Sequence, residues 1–414
     1  MRITQLVPDV REIEADDLVA APARDVATPA PFDQALTHLV GRFSERLLAI
    51  PNVGRTPELV ALGFWTRRAA LERLRAEFAR LADAESILVP RGLVLHFPPA
   101  NVDTMFVYSA VLSLLTGNRN LVRLSQRVTP AVELLCDVWR AALAENAGLR
   151  DMLTFVTYPH DPETTRRLSS VADVRVIWGG DETIRAIRAI PAPPTAIELA
   201  FPDRFSLAAI HAEAWLAADE GVQRTIAERF FNDAYWFGQA GCSSPRLVVW
   251  CGAPETTRRA SDGFFTRVAA VLHGRGHRVS TGEALQKLTF TAEAAMDRPV
   301  ERVRRPSNEL SVLSLASLDR FGREHCGGGL FFEATLPDLA ALRPFLARKD
   351  QTLAHFGFDA AVLRRFVEAV NGRGLQRVVP LGEALAFHRY WDGFDLLAAL
   401  TQRVHVRAGD EGTR

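Results

Sequence analysis

The stretch Gly92-Leu-Val-Leu-His-Phe-Pro-Pro-Ala-Asn101 holds a short, largely apolar run, Leu93 to Phe97, bounded by a glycine and a pair of prolines. That length and punctuation predict a buried strand running into a turn. The same unit recurs downstream. A helical stretch from Asp103 to Thr116 leads to Asn120–Leu124, and a helix from Pro130 to Glu145 leads to Leu153–Thr157. A helix from Pro162 to Ser170 leads to Val174–Trp178, and one from Asp181 to Ile190 leads to Ala196–Ala200. Five strands separated by helices predict βαβ units and therefore an α/β, doubly wound parallel sheet. Sheets of this kind bind ligands beyond the carboxyl ends of their strands.

Outward from this core the rhythm changes. Residues 1 to about 35 are rich in Ala, Pro and Asp, and the stretch to Ala84 alternates apolar and charged residues at helical spacing. The expected organisation is a lead-in and helical cap over 1–90, a dinucleotide-type sheet domain over 91–200, a second α/β domain over 201–371 and a C-terminal segment over 372–414. Pro191-Ala-Pro-Pro194 punctuates the chain just before the boundary near Ala200.

Within the second domain, Phe237-Gly-Gln-Ala-Gly-Cys242-Ser-Ser-Pro-Arg246 joins an apparent helix, Gly221 to Trp236, to an apparent strand, Leu247–Trp250. Small residues on both sides of Cys242 exclude a helix interior and leave backbone donors near the sulfur, where they can stabilise a reactive thiolate. The competing reading is a small buried hydrophobe. The bulky neighbours Tyr235, Trp236 and Phe237 suggest either an apolar channel or core.

Net charge is zero with both signs interspersed, which points away from nucleic acid and anionic membranes and towards small molecules or protein. Lysine occurs only at Lys287 and Lys349, which limits Schiff-base chemistry to those two positions. No apolar run reaches the roughly 18 residues of a spanning helix and no signal-type segment is evident, so a cytoplasmic protein is expected. Four irregularly spaced cysteines, Cys136, Cys242, Cys251 and Cys326, do not make a disulfide framework. Neither Cys-x-x-Cys nor His-Glu-x-x-His occurs, so no metal is expected; Gly-x-Ser-x-Gly is also missing.

Several residues at the expected ligand-binding edge carry candidate roles. Asn101, just past the first strand, is either an oxyanion donor or a helix cap. Arg123-Leu-Ser-Gln-Arg127 follows the second strand, where the adenosine ribose of a dinucleotide would lie. Arginine and neutral groups there (Arg123, Ser125, Gln126) tolerate a 2′-phosphate, or else form a solvated turn. Gly179-Gly180, opening a helix after the fourth strand, can receive a pyrophosphate or simply make a tight turn. Glu198 in a mostly apolar strand is functional or is bonded to a neighbour such as Arg204. The strict Gly-x-Gly-x-x-Gly fingerprint is absent from the first turn, which argues against an ordinary Rossmann dehydrogenase. Cys326-Gly-Gly-Gly329 lacks the preceding strand and the Lys-Ser/Thr of a phosphate loop and reads as a turn.

Six blocks in order, Gly92–Asn101, Leu115–Ser125, Ile177–Asp181, the Cys242 loop, Gly374–Pro380 and Trp391–Gly393, resemble the LuxC-type acyl-CoA reductases, a branch of the aldehyde dehydrogenase superfamily. The resemblance implies an aldehyde dehydrogenase-like fold: a dinucleotide domain, a catalytic domain with a nucleophilic cysteine, and a small oligomerisation element. It places the nucleophile on Cys242, preceded by the superfamily's Gly-Gln at Gly238-Gln239, and the oxyanion asparagine on Asn101. The Lys and Glu that usually hold the adenosine ribose correspond to Arg123 and Gln126, which favours NADPH while leaving NADH open. The general-base glutamate falls nearest Glu198, at a longer spacing to the cysteine than usual.

The implied activity is reduction of an acyl-CoA or acyl-carrier thioester to an aldehyde, through an acyl-enzyme and hydride transfer. Acyl transfer or thioester hydrolysis by the same cysteine, or a non-catalytic scaffold, are the alternatives. The resemblance also implies a homo-oligomer and a complex with an acyl-transferase or ligase.

Overall fold

The computed structural model describes residues 2–20 and 28–407; the parts of the expected lead-in and tail at 21–27 and 408–414 lie outside them. The chain divides into two compact units, 1–202 together with 387–414, and 203–386.

In the first unit the strands are β1 (Arg2–Val7), β2 (Arg11–Glu14), β3 (Ser86–Pro90), β4 (Leu93–Phe97), β5 (Arg119–Leu124), β6 (Leu153–Thr157), β7 (Val174–Trp178) and β8 (Ile197–Phe201). Seven of them form one sheet in the order β2-β1-β6-β5-β4-β7-β8. From β6 to β8 every pairing is parallel, with Val94 opposite both Asn120 and Val174. All five residues of β4 and of β7 are buried, as expected of central parallel strands covered on both faces. The helix after β4, Met105–Leu115, is buried at every position, so it lies inside the unit. The next two crossover helices begin with proline at the first turn and are capped by Thr129 and Asp161, which accept from Val132 N and Thr164 N.

The lead-in is more ordered than the composition suggests. Arg2–Val7 alternates buried and less buried residues and pairs antiparallel with β6, extending the sheet by two strands. A single-residue alternation of this kind marks a strand with one face more covered than the other. At the other end of the chain, the hairpin Tyr390–Trp391 and Phe394–Asp395 turns through Asp392-Gly393, both at positive φ. Strand Thr401–His405 then pairs antiparallel with β3.

Asn118 ties these pieces together from a fully buried position. Its Oδ1 accepts from Arg91 N (2.8 Å) and Gly92 N (3.0 Å), and its Nδ2 donates to Leu400 O at 2.8 Å. Gly117 beside it has φ +84°, and a Cβ there would stand 2.4 Å from the Pro29 carbonyl. The Gly-Asn pair is thus a structural helix stop.

The second unit holds β9 (Phe205–His211), β10 (Pro245–Cys251), β11 (Val300–Ser307), β12 (Leu310–Leu315), β13 (Leu330–Leu336), β14 (Asp350–Phe356) and β15 (Arg377–Pro380). They form a sheet in the order β11-β12-β13-β10-β9-β14-β15, parallel apart from the β11 edge. Alternate residues face two cores: Ala208, Ile210, Val248 and Trp250 one way, Leu207, Ala209, Leu247 and Val249 the other.

Candidate active site

The parallel register of β4, β5, β6, β7 and β8 puts their carboxyl ends along one edge of the first sheet. Asn101 lies in the turn after β4 and is exposed. Arg123, at the end of β5, is half-buried; its Nη2 donates to the Tyr158 carbonyl at 3.3 Å and its guanidinium lies 5.2 Å from the Tyr158 ring centroid. Ser125 Oγ accepts from Arg127 N at 3.2 Å, and Gln126 is exposed. No carboxylate stands in Arg123–Arg127. Gly179 N donates to Phe201 O at 3.2 Å, and Gly180 is the N-cap of helix Asp181–Arg188, where no side chain occupies the cap.

An added Cβ on Gly180 would meet nothing within 4 Å, so a ligand can approach its backbone closely. Asp181 and Glu182 in the first turn oppose an anion there, which leaves Arg123 as the cation at this edge with a defined position. What this edge offers near the end of β5 is thus a guanidinium with no carboxylate beside it in Arg123–Arg127.

Glu198 sits away from that edge. It is the second residue of β8, three residues before the carboxyl end, or roughly 10 Å along the strand. It stands in register opposite Arg175 on β7, with Oε1 2.5 Å from the buried Arg175 Nη2 and Oε2 3.4 Å from Arg188 Nε. The expected partner Arg204 instead donates to the Arg348 carbonyl at 2.8 Å. A feature the sequence reading passed over lies beneath the edge: fully buried His96 contacts Ser109 Oγ at 2.8 Å and Asn120 Oδ1 at 3.0 Å. Burial pushes its imidazole down to about 4, so it is neutral near pH 7 and links β4, β5 and the buried helix.

In the second unit, Cys242 lies in the loop between helix Glu220–Tyr235 and β10 and is half-buried. The loop is held from several sides. Gln239 is fully buried at φ +65°; its Nε2 donates to Pro245 O and Leu330 O, both at 3.0 Å, and its Oε1 accepts from Gly329 N at 3.0 Å. Ser206 Oγ donates to Cys242 O at 2.7 Å and accepts from Thr352 N at 3.2 Å. Ser243 Oγ donates to Gln351 Oε1 at 2.9 Å. Arg246, also buried, donates to the carbonyls of Gly241 (3.0 Å) and Gln239 (3.3 Å).

Gly329 has φ +82°, and a Cβ there would overlap the Glu309 carbonyl at 2.0 Å, so only glycine lets this turn reach Gln239. Asp233, on the helix before the loop, accepts from Gly382 N (2.6 Å) and Ala384 N (2.9 Å); burial pushes it up to about 7. The same segment brings Leu385 to the face of Gly241.

The other three cysteines differ from Cys242. Burial pushes Cys136 and Cys251 up to about 12 and Cys326 up to about 11, so each is a thiol at neutral pH. Tyr235, expected either in an apolar channel or in core, is core: it is 3% exposed, stacked on Phe231, with its hydroxyl donating to Glu309 O. Trp236 and Phe237 are half-buried. Among the described residues, no group of three or more His, Cys, Asp or Glu is placed to hold a metal ion, and no helix is long and apolar enough to cross a membrane.

A family model described as acyl-CoA reductase (LuxC) matches residues 69–277. A long-chain acyl-protein thioester reductase from Aliivibrio fischeri is 23% identical over 299 residues, 71% of this chain and 59% of the relative. This chain thus matches about three fifths of that curated relative's length. Similar solved structures include a putative aldehyde dehydrogenase from Burkholderia cenocepacia, 16% identical with a TM-score of 0.65 over 98% of this chain and 97% of that one. Aldehyde dehydrogenase 21 from Physcomitrella patens, solved with succinate, is 12% identical with a TM-score of 0.69 over 97% and 90% of the two chains. These structures establish an aldehyde dehydrogenase-like fold.

Proposed function

Because the chain belongs to the acyl-CoA reductase (LuxC) family, we propose that it reduces an acyl thioester, carried by coenzyme A or a carrier protein, to an aldehyde with Cys242 as the nucleophile. What supports this reading is the setting of Cys242: it is half-buried in a loop braced by Gln239, Ser206, Ser243 and Arg246, while Cys136 and Cys251 are buried and Cys326, half-buried as well, is held as a thiol by burial.

The Cys242 thiolate attacks the acyl carbon, the carbonyl π electrons move to oxygen, and the carrier thiolate leaves as the carbonyl reforms. An acyl-enzyme remains. Thioester exchange is nearly isoenergetic, so one difficult reduction becomes two easier steps. We assign the oxyanion to the Asn101 amide and to a backbone N–H of the Cys242 loop. Arg123, Ser125, Gln126, Gly179 and Gly180 are assigned to hold a nicotinamide dinucleotide, NADPH rather than NADH, because a guanidinium and no carboxylate stands at the end of β5. The cofactor supplies the hydride. The resulting thiohemiacetal oxyanion collapses, expelling Cys242 as thiolate and releasing the aldehyde. No hydrolytic water is activated in this sequence, which leaves Glu198 to its ion pairs with Arg175 and Arg188.

The test is NADPH absorbance after mixing the protein with acyl-CoAs of increasing chain length, beside Cys242→Ala. Acyl-dependent NADPH loss that vanishes in the variant supports the proposal. Thiol release without NADPH loss would replace it with acyl transfer or hydrolysis.

A further inference from the structure

Arg246 is 2% exposed at the second position of β10, and its hydrogen bonds do not account for its charge. We propose that Arg246 is the fixed positive charge of the Cys242 loop, a positioning residue that orients the loop peptides and favours the thiolate form of Cys242. The inference rests on Cys242 being the nucleophile proposed above.

A buried guanidinium is costly unless an anion faces it. Every acceptor around Arg246 is a neutral carbonyl: Arg204 O at 2.9 Å, Gly241 O at 3.0 Å and Gln239 O at 3.3 Å. Its Nε is buried with no acceptor. Among the described residues no carboxylate forms an ion pair with it. Asp203, the nearest acid to act on it, is paired with Lys349 at 2.6 Å. Arg323, which shares the Phe205 ring with Arg246, is paired with Asp350 at 2.7 Å. His325 is held neutral, down to about 3, by burial and then by Arg246 itself. Cys242, more than Asp203, attracts the Arg246 charge, and that attraction works against the burial that pulls Arg246 down to about 10.

Geometry supplies the second half of the argument. The carbonyls of Gln239 and Gly241 both point at the guanidinium fork. In a trans peptide the N–H is opposed to the carbonyl, so the N–H of Cys242 is turned away from Arg246. Arg246 thus turns the Cys242 backbone donor to the opposite side of the loop while placing a cation against the peptide that precedes Cys242. Arginine suits this because its planar fork spans two carbonyls and keeps its charge when buried, whereas lysine offers a point charge.

The experiment measures the rate of Cys242 alkylation by iodoacetamide against pH, read by peptide mass spectrometry on the full chain, with neither thioester nor nucleotide present. The expected wild-type midpoint lies below the ordinary thiol value of about 8.5. Arg246→Met is expected to raise that midpoint by a unit or more, roughly a 10-fold loss of thiolate at pH 7. Arg246→Lys is expected to keep the midpoint low while lowering kcat. A wild-type midpoint at or above the ordinary value overturns the proposal without any variant, which covers the case in which Arg246→Met does not fold. Equal midpoints in wild type and folded Arg246→Met also overturn it. If alkylated Cys242 still supports NADPH oxidation, it is the nucleophile assignment that fails; the midpoints still decide what Arg246 does to the sulfur.

Discussion

Replacing Gln239 with leucine tests how the Cys242 loop is held. The side chain is fully buried and its amide satisfies three backbone groups, Pro245 O, Leu330 O and Gly329 N, so water cannot take over. Leucine fills a similar volume at the same φ of +65° but leaves all three groups without a partner. Each buried polar group stranded this way costs about 1–3 kcal/mol, and partial relaxation of the loop brings the expected total to about 4 kcal/mol. For a unit the size of 203–386, each kcal/mol moves the melting temperature by roughly 2–4 °C, so the transition should fall by roughly 8–16 °C. Differential scanning calorimetry reads this directly. A drop smaller than about 2 °C for Gln239→Leu, the error expected from a surface change, would refute the claim that this amide braces the loop.

Asn101→Ala should lower kcat for thioester reduction roughly 100- to 1000-fold with melting unchanged, because one oxyanion donor is lost from an exposed position. Turnover within a few-fold of wild type would remove Asn101 from the mechanism. Arg123→Ala should raise KM for NADPH about 10- to 100-fold while leaving that for NADH nearly unaltered, as expected for one charge-assisted phosphate contact. Equal effects on the two nucleotides would contradict the phosphate role. His96 is lowered to about 4 by burial, against an unfolded value near 6.5, so its contribution to stability is complete above the unfolded value and disappears as pH falls towards the folded one. Between pH 7 and 4.5 it should account for about 2–3 kcal/mol of lost stability in urea titrations. NMR titration should show the His96 ring uncharged at pH 5.5, and protonation near 6.5 in the folded protein would refute this.

Much of the first sheet was legible before any tertiary information. The expected Leu93–Phe97, Leu153–Thr157 and Val174–Trp178 coincide with β4, β6 and β7, because buried parallel strands carry continuous apolar runs bracketed by turn residues. The outlying strand Arg2–Val7 was harder to recognise. Its buried Ile3, Gln5 and Val7 alternate with the less buried Arg2, Thr4 and Leu6 in a composition that resembles a loop, and pairing with β2 and β6 makes that alternation a strand. In the second unit, Phe205–His211 and Leu310–Leu315 went unnamed although both carry apolar residues at the required spacing. Their interruption by serines and long connections hides the βαβ rhythm.

The candidate site divides in a similar way. Cys242 stands out in sequence because glycine, serine and proline around it dictate a loop, and Arg123 stands out because chemistry at the end of a second strand is positional. Local sequence also specified the central parallel strands of the first sheet and the helices between them, since these depend on contacts a few residues apart and on backbone preference. What braces the Cys242 loop could not be read that way. Gln239 reaches Leu330 and Gly329, Ser206 reaches Cys242, and Asp233 reaches Gly382 and Ala384, across separations that no local pattern encodes. Glu198 is the clearest instance: one carboxylate in an apolar strand is compatible with a base or an ion pair, and only the register of β7 against β8 shows that Arg175 stands beside it. Chain-local chemistry determines which groups are available, and burial together with strand register determines which of them are satisfied and which remain able to react.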